Sequence, residues 1–205
     1  MADRIDHWQH VHTTRAPDAV SWYAPHLTTS LSLIDALALP AHAAILDVGG
    51  GISALVDDLL ARGHDGVRVL DISSAALDIT RERLGAQAAR VTFITGDLLE
   101  APIEGPLDLW HDRAVFHFLT EPADQAAYAA RARALVRPGG HVILATFADD
   151  GPLRCSGLDV ARYAPEALHA ALGADHFDLI HTLRDEHITP SGATQRFAYA
   201  LMRRR

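Results

Sequence analysis

Short apolar runs alternate with longer amphipathic stretches over most of the chain. The run 44–48 is apolar except for one aspartate and predicts a buried strand. The stretch 53–62 follows it and carries Leu and Val at helical spacing. Because this alternation recurs towards the carboxyl end, it predicts an α/β fold around a mostly parallel sheet.

The pattern predicts seven strands and five helices. The predicted strands span 44–48, 67–71, 91–95, 107–111, 141–147, 177–183 and 195–202. The predicted helices span 31–39, 53–62, 74–84, 122–136 and 165–172. Ser74 is the predicted N-cap of the third helix, and Pro138-Gly139-Gly140 should stop the fourth. The last two strands are close in sequence, which indicates an antiparallel hairpin closing the sheet.

Composition sets the scale of the protein. A chain of 205 residues with 49% apolar residues predicts one domain over 1–205, in which an N-terminal lid segment, 1–43, precedes a core, 44–205. The net charge of −8 argues against a nucleic-acid surface, which needs clustered Lys and Arg. One cysteine excludes an intramolecular disulfide, and no apolar stretch is long enough to span a bilayer. We therefore expect a cytoplasmic protein without membrane or nucleic-acid partners.

A glycine-rich turn, Gly49-Gly50-Gly51, follows the first predicted strand. In an open parallel sheet, ligands bind beyond the carboxyl ends of the strands, and glycines let the backbone approach them closely. Written as Gly49-x-Gly51-x-x-Ala54, the turn also satisfies the dinucleotide fingerprint. The turn alone therefore leaves an NAD-dependent oxidoreductase open.

Three aspartates at predicted strand ends narrow the choice of cofactor. Asp47 precedes the glycines and suits a cofactor that carries an ammonium group. Asp71 ends the second strand, where a carboxylate can accept both ribose hydroxyls. Asp97 ends the third strand, where it can accept from an adenine amino group.

The ordered motifs of this chain resemble those of class I S-adenosylmethionine-dependent methyltransferases. They read Ile-Leu-Asp-Val-Gly-Gly-Gly, Val-Leu-Asp-Ile-Ser, Gly-Asp-Leu and Leu-Val-Arg-Pro-Gly-Gly-His, over roughly residues 44–147. One departure is Ser53, where many relatives have a third glycine. The resemblance implies a Rossmann-like seven-stranded sheet with an antiparallel C-terminal hairpin and an N-terminal helical lid, which 3–14 and 31–39 would supply.

The resemblance also implies S-adenosylmethionine as the cofactor. Gly49 and Gly51 would line its methionine moiety, Asp71 would bind the ribose, and Asp97 and Leu98 would bind the adenine. The complete set of predicted cofactor residues adds Asp47, Ile72, Trp22 and His111 to these.

The predicted fourth strand ends in His111-Asp112-Arg113. We predict His111 with Asp112 as a general base, and His117, about one and a half helical turns further on, as a second candidate. In the alternative, Asp112 pairs with Arg113 and both histidines pack in a polar core.

Residues of other loops are predicted to contact the substrate. They are Tyr23, Arg113, Cys155, His187 and Gln195. Cys155 with His111, His117 and His187 would also be a conceivable metal or metalloid site. No Cys-x-x-Cys or His-x-x-x-His spacing supports one, so we predict no metal.

Near the amino terminus, Trp8 and Trp22-Tyr23 resemble the Trp-x-x-x-Tyr…Trp-Phe/Tyr segment that some protein-lysine methyltransferases place over the cofactor. His12 stands where that pattern has Tyr, so Trp22 and Tyr23 are the favoured lid residues. Ordinary helix packing is the alternative.

Small size without an appended recognition domain favours methyl transfer to a small molecule by in-line displacement. A protein-lysine methyltransferase is the second hypothesis, with Asp112, Asp149, Asp150 and Trp22 around the lysine. A non-catalytic binder of S-adenosylmethionine or S-adenosylhomocysteine is the third.

Overall fold

The computed structural model of the protein describes residues 2–205, with side chains from residue 4 onwards. Two helices, α1 (Ala2–Thr14) and α2 (Thr28–Ala36), precede the sheet. The core then follows in the order β1 (Ile45–Val48), α3 (Leu55–Ala61), β2 (Val67–Asp71), α4 (Ser74–Leu84), β3 (Thr92–Thr95), β4 (Leu107–Arg113), α5 (Pro122–Leu135) and β5 (Val136–Phe147). The chain ends with β6 (Arg154–Cys155), β7 (Leu158–Asp159), α6 (Pro165–Leu172), β8 (Phe177–Ile188) and β9 (Thr194–Arg204).

Seven of these strands form one sheet in the order β3-β2-β1-β4-β5-β9-β8. The first five in that order are parallel, whereas β9 runs antiparallel to both β5 and β8. Short β6 and β7 pair separately. The predicted fold class, a Rossmann-like sheet with an antiparallel C-terminal hairpin, is confirmed.

Both faces of the sheet are buried, because successive strand residues point to opposite sides. One face packs against α5 and α6 through residues such as Leu46, Trp110 and Leu144. The other packs against α2, α3 and α4 through their neighbours, Ile45, Leu109 and Ala145. The carboxyl ends of β1, β2, β3 and β4 therefore meet at one edge, which no core helix covers.

The N-terminal helices have different roles. Residues 3–14, a polar segment predicted to be part of the lid, lie in α1, which packs against α4. The second helix, predicted at 31–39, begins and ends three residues earlier. Its Leu31 and Ile34 are buried in the main core, so α2 is part of the core, whereas α1 contributes residues that line the site.

Several local predictions were wrong. The N-cap of α4 is Ser73, whose hydroxyl accepts from the Ala76 N–H, whereas Ser74 is the first helical residue. Pro138-Gly139-Gly140 does not end α5, because the helix ends at Leu135 and these residues already belong to β5. The hairpin strands β8 and β9 extend beyond 177–183 and 195–202, since the charged residues at their ends face solvent along a sheet edge.

Among the described residues, no helix is both long and apolar enough to cross a bilayer.

Candidate active site

Two neighbouring clefts open at the carboxyl ends of the parallel strands. The first cleft lies over β1, β2 and β3. The strand ends that line it contribute Val48, Gly49, Asp71, Ile72, Asp97 and Leu98. The second cleft lies over β1 and β4 and is lined by Trp22, Tyr23, Asp47, Ser53, His111 and Arg113, among others.

The glycine turn shapes the floor of both clefts. Gly49 has φ +63°, and a Cβ there would overlap the side chain of Val115 on the far wall of the first cleft. Gly51 lines neither cleft, but a Cβ on it would lie 2.6 Å from Asp71 Oδ2. The two glycines therefore serve different purposes: Gly49 leaves room for Val115, which lines the first cleft, and Gly51 leaves room for Asp71.

Asp71 lies at the end of β2 with its carboxylate facing the first cleft. Its Oδ1 accepts from the Ser73 N–H at 2.8 Å. Burial raises the pKa of Asp71 to about 7, although the backbone N–H donors around it act in the opposite direction. A carboxylate in this position gains from neutral hydroxyl donors, which stabilise its charged form.

Asp97 faces the same cleft from the end of β3. Its Oδ1 accepts from the Leu99 N–H at 2.9 Å, and its Oδ2 lies 3.6 Å from the guanidinium of Arg4 in α1. Arg4 is also 3.9 Å from Asp124 of α5. An ion pair to α1 thus spans the end of the cleft that Asp97 lines.

Aromatic side chains from three segments form a roof over the clefts, which we define as Trp8, His12, Trp22 and Phe118. The Trp8 ring lies 5.6 Å from Trp22 and 5.2 Å from Phe118, centroid to centroid. His12, which replaces the expected Tyr, stacks on Trp8 at 6.2 Å, and burial lowers its pKa to about 4. The preference for Trp22 and Tyr23 over Trp8 was incomplete, because Trp8 lines the first cleft and Trp22 the second.

The predicted pairing of His111 with Asp112 was wrong. His111 Nδ1 lies 2.7 Å from Asp47 Oδ1, and His111 Nε2 lies 2.9 Å from Ser30 Oγ. Because adjacent strand residues point to opposite faces, His111 and Asp112 are separated by the sheet itself. Both ring nitrogens of His111 are engaged within the protein, and the carboxylate that orients the ring is Asp47 and not Asp112.

Asp112 lies on the opposite face of the sheet, where it is hydrogen-bonded to groups of the core. It is fully buried, accepts from the backbone N–H groups of Val115 and Phe116, and accepts from the Tyr128 hydroxyl at 2.8 Å. Burial raises its pKa to about 6. Asp112 lines neither cleft, so both its predicted catalytic role and its alternative ion pair with Arg113 are wrong.

His117 is also a core residue. It is fully buried against Phe118 and Phe147, and its Nδ1 accepts from the Phe147 N–H at 3.4 Å. Burial lowers its pKa to about 3, so the imidazole is neutral. It lines neither cleft, which removes it as a base.

Arg113 is the cation of the second cleft. Its guanidinium stacks on Phe197 at 4.3 Å and donates to the Tyr199 hydroxyl at 3.2 Å and the Trp22 carbonyl at 3.4 Å. All three partners are neutral. Within residues 4–205, no carboxylate forms an ion pair with it.

Of the other predicted substrate residues, Tyr23 lines the second cleft, whereas Cys155, His187 and Gln195 line neither cleft. Cys155 is buried in the core, and burial raises the pKa of its thiol to about 12. His187 bonds through Nε2 to the Ser21 carbonyl at 2.8 Å, and Gln195 pairs with it across the β8–β9 hairpin. Within the described part of the chain, no three His, Cys, Asp or Glu side chains group as metal ligands, so these residues do not form the conceivable metal site.

Two residues of the site were missed in the sequence, namely Ser30 and Arg4. Ser30 lies in an apolar stretch without any motif, and no sequence signal points to it. Arg4 lies in the polar segment before Trp8, where no motif distinguishes it from other charged residues.

Residues 45–140 match the family model described as a methyltransferase domain. The matched residues are a methyltransferase domain, and the sheet around them has the fold of class I S-adenosylmethionine-dependent methyltransferases. This assignment replaces the oxidoreductase alternative, since the acidic strand ends and the ordered motifs decide between the two cofactors. No curated protein matches the sequence significantly.

Solved structures share the fold of this methyltransferase at low sequence identity. A protein of echinomycin biosynthesis, associated with conversion of a disulfide bond into a thioacetal group, has a TM-score of 0.78 at 19% identity, covering 98% of this chain and 92% of the other. The Burkholderia thailandensis 1,6-didemethyltoxoflavin-N1-methyltransferase, solved with 1,6-didemethyltoxoflavin and S-adenosylhomocysteine, has a TM-score of 0.70 at 23% identity, covering 99% and 84%. A Methanosarcina mazei methyltransferase has a TM-score of 0.70 at 14% identity, covering 83% and 96%.

The residues of this methyltransferase fit S-adenosylmethionine. Gly49 lines the first cleft with backbone alone, and Asp71 and Asp97 present carboxylates to the same cleft. Asp47 and Arg113 present opposite charges to the second cleft. The first cleft thus suits the nucleoside part of the cofactor. The second cleft suits charged groups that lie next to the nucleoside.

Proposed function

We propose that this methyltransferase acts on a small-molecule acceptor by direct in-line displacement. The observation that carries the proposal is the second cleft, which lies beside the glycine turn and under the aromatic roof. Its walls present two aromatic side chains, Trp22 and Tyr23, and one cation, Arg113. A cleft of this kind suits a compact, partly aromatic molecule.

The cofactor residues would hold the donor across both clefts. Asp71 would accept from the ribose hydroxyls, and Ile72 and Leu98 would cover the base, whose amino group would donate to Asp97. Asp47 would accept from the ammonium of the amino-acid end. When bound, S-adenosylmethionine supplies a methyl group already activated by its sulfonium, so the residues of the chain have to align the acceptor and exclude water.

Tyr23 and Arg113 would orient the acceptor. Because the partners of the Arg113 guanidinium are all neutral, an acceptor with a carbonyl or acidic group would complete its hydrogen bonding. Both ring nitrogens of His111 bond within the protein, to Asp47 and Ser30, so the cleft offers the acceptor no unengaged imidazole nitrogen. We therefore propose that the acceptor attacks through a lone pair that it already carries near neutral pH.

The protein-lysine alternative has less support from the contacts. Asp149 lies 2.7 Å from Arg184, and Asp150 lies within ion-pair distance of Arg184 and Arg196, so neither is free to surround a lysine. Among the structural neighbours, the toxoflavin-pathway enzyme was solved with a small heterocycle bound. That acceptor belongs to the neighbour, and it illustrates the molecular size we expect.

The proposal is tested with radiolabelled S-adenosylmethionine and two acceptor sets, a panel of nitrogen heterocycles, phenols and thiols, and a proteome treated to remove small molecules. We expect label in the small-molecule panel alone. The variant Arg113→Met should raise the acceptor KM about tenfold while changing the Kd for S-adenosylhomocysteine less than about twofold. Label only in protein would favour a protein methyltransferase, and cofactor binding without any label transfer would favour a non-catalytic binder.

A further inference from the structure

Three buried side chains form a continuous hydrogen-bonded chain beneath the second cleft. Ser30 Oγ lies 2.9 Å from His111 Nε2, and His111 Nδ1 lies 2.7 Å from Asp47 Oδ1. The exposed fractions of Ser30, His111 and Asp47 are 0%, 1% and 3%. Polar groups at such depth persist because each one satisfies another.

The sheet and α2 bring these residues together from distant parts of the chain. The parallel register of β1 and β4 sets Asp47 directly beside His111, on the same face. Ser30 comes from α2, whose apolar side is buried in the same core. The chain of hydrogen bonds thus connects an N-terminal helix to the residue that precedes the glycine turn.

One protonation pattern satisfies every donor and acceptor in the chain. The Ser30 hydroxyl donates to Nε2, and the neutral imidazole donates through Nδ1–H to Asp47, which remains a carboxylate. The other oxygen, Asp47 Oδ2, lies beneath the glycine turn, where a Cβ on Gly50 would overlap it. His111 therefore fixes one oxygen of Asp47 and leaves the second towards the turn.

The outer end of the chain is itself held in place. The Thr29 hydroxyl donates to Asp185 of β8 at 2.9 Å, and Asp35 of α2 pairs with Arg62 at 2.9 Å. Ser30 lies between these two attachments, so its hydroxyl has a fixed position. A fixed hydroxyl is what a positioning role for His111 requires.

We propose that Ser30 and His111 are positioning residues that hold Asp47 for the ammonium of the cofactor's amino-acid end, so that α2 controls the discrimination between ligands with and without that end. This inference rests on the proposed cofactor role of Asp47. It gives His111 a positioning role, which its contacts with Asp47 and Ser30 support.

The test compares two ligands of the full chain by calorimetry. S-adenosylhomocysteine carries the amino-acid end, whereas 5′-methylthioadenosine shares its adenosine and sulfur and lacks that end. We expect His111→Phe to weaken S-adenosylhomocysteine binding about tenfold and to leave 5′-methylthioadenosine within about twofold. Ser30→Ala should act in the same direction, about threefold, with almost no change in volume.

A rescue variant and a control accompany these substitutions. His111→Asn keeps an amide donor near the position of Nδ1 and should restore most of the preference for S-adenosylhomocysteine. His169→Phe removes a histidine that bonds the Phe177 carbonyl at 2.7 Å, away from both clefts, and should change neither affinity. Thermal unfolding of each variant reports its stability separately.

An equal loss of affinity for both ligands in His111→Phe and His111→Asn would overturn the proposed positioning role, because a general structural defect lowers both affinities together. Unchanged affinities would overturn it as well. If the wild-type protein bound neither ligand, the proposed function would be overturned, and the positioning role of Ser30 and His111 would be overturned with it.

Discussion

Gly49 occupies the point where the backbone of the turn, the Val115 side chain and the first cleft meet. Its φ of +63° is a conformation that costs an L-residue free energy, and any Cβ would overlap Val115. A substitution of Gly49 therefore has two separate free-energy costs, one from the backbone conformation and one from steric overlap. Only the steric overlap bears on ligand binding, because Val115 lines the first cleft.

The two penalties can be separated by a matched pair of variants. Gly63 at the end of α3 has φ +87°, and a Cβ there would meet no atom within 4 Å. We predict that Gly63→Ala lowers the free energy of unfolding by about 1 kcal/mol and leaves the Kd for S-adenosylhomocysteine unchanged. Gly49→Ala should raise that Kd at least about tenfold, measured by calorimetry. Equal binding by the two variants would show that space at Gly49 is not required.

At the scale of elements, α1 is attached to the domain by few but specific contacts. Gln9 Oε1 accepts from the Ser73 hydroxyl at 2.9 Å and from the Ala75 N–H at 3.4 Å, so it adds a second cap to α4. Arg4 reaches Asp97, and Trp8 lies against Phe118. Because these partners line or flank the first cleft, the position of α1 and ligand binding there are coupled.

We predict that Trp8→Ala raises the dissociation rate of S-adenosylhomocysteine about tenfold, since loss of the indole opens the roof above the first cleft. Stopped-flow fluorescence with a competing ligand would measure this rate. Ile5→Ala is the control, because Ile5 lies on the same helix, is 38% exposed and lines neither cleft. If both variants release the ligand at the wild-type rate, α1 does not act as a lid.

At the scale of the whole molecule, the buried carboxyl of Asp71 lowers the free energy of unfolding when it is ionised. Asp71 is buried, and its pKa in the folded protein, about 7, lies above the ordinary value of 3.8. A carboxyl with a raised pKa stabilises the folded state at low pH, and this contribution is lost as the pH rises through about 7. Above about pH 7 the folded protein therefore holds an ionised carboxylate in a poorly solvated place.

We predict that Asp71→Asn stabilises the ligand-free protein at about pH 8, by on the order of 3 kcal/mol, because the amide keeps the acceptor for the Ser73 N–H without the charge. The gain should shrink towards about pH 5. The same variant should bind S-adenosylhomocysteine more weakly. Urea unfolding at both pH values measures the first effect and calorimetry the second. A stability difference that does not vary with pH would contradict the assigned pKa.

The sequence by itself determined the features that depend on local periodicity and chain order. Strands and helices follow from residue spacing, and a glycine turn after β1 can have only one place in a parallel sheet. For the same reason Asp71 and Asp97, each at the end of a strand, were correctly expected at the first cleft. Hairpin lengths and the α4 cap were less accurate, because solvent-facing strand ends and neighbouring serines give ambiguous local signals.

Only the tertiary structure decided the partners of the polar residues. His111 and Asp112 are adjacent in sequence, yet the pleat of β4 sends them to opposite faces of the sheet, one towards the second cleft and one into the core. The actual partners of His111, Asp47 and Ser30, are 64 and 81 residues away in the chain. Contacts over such separations are fixed by strand register and helix packing, which no local pattern encodes.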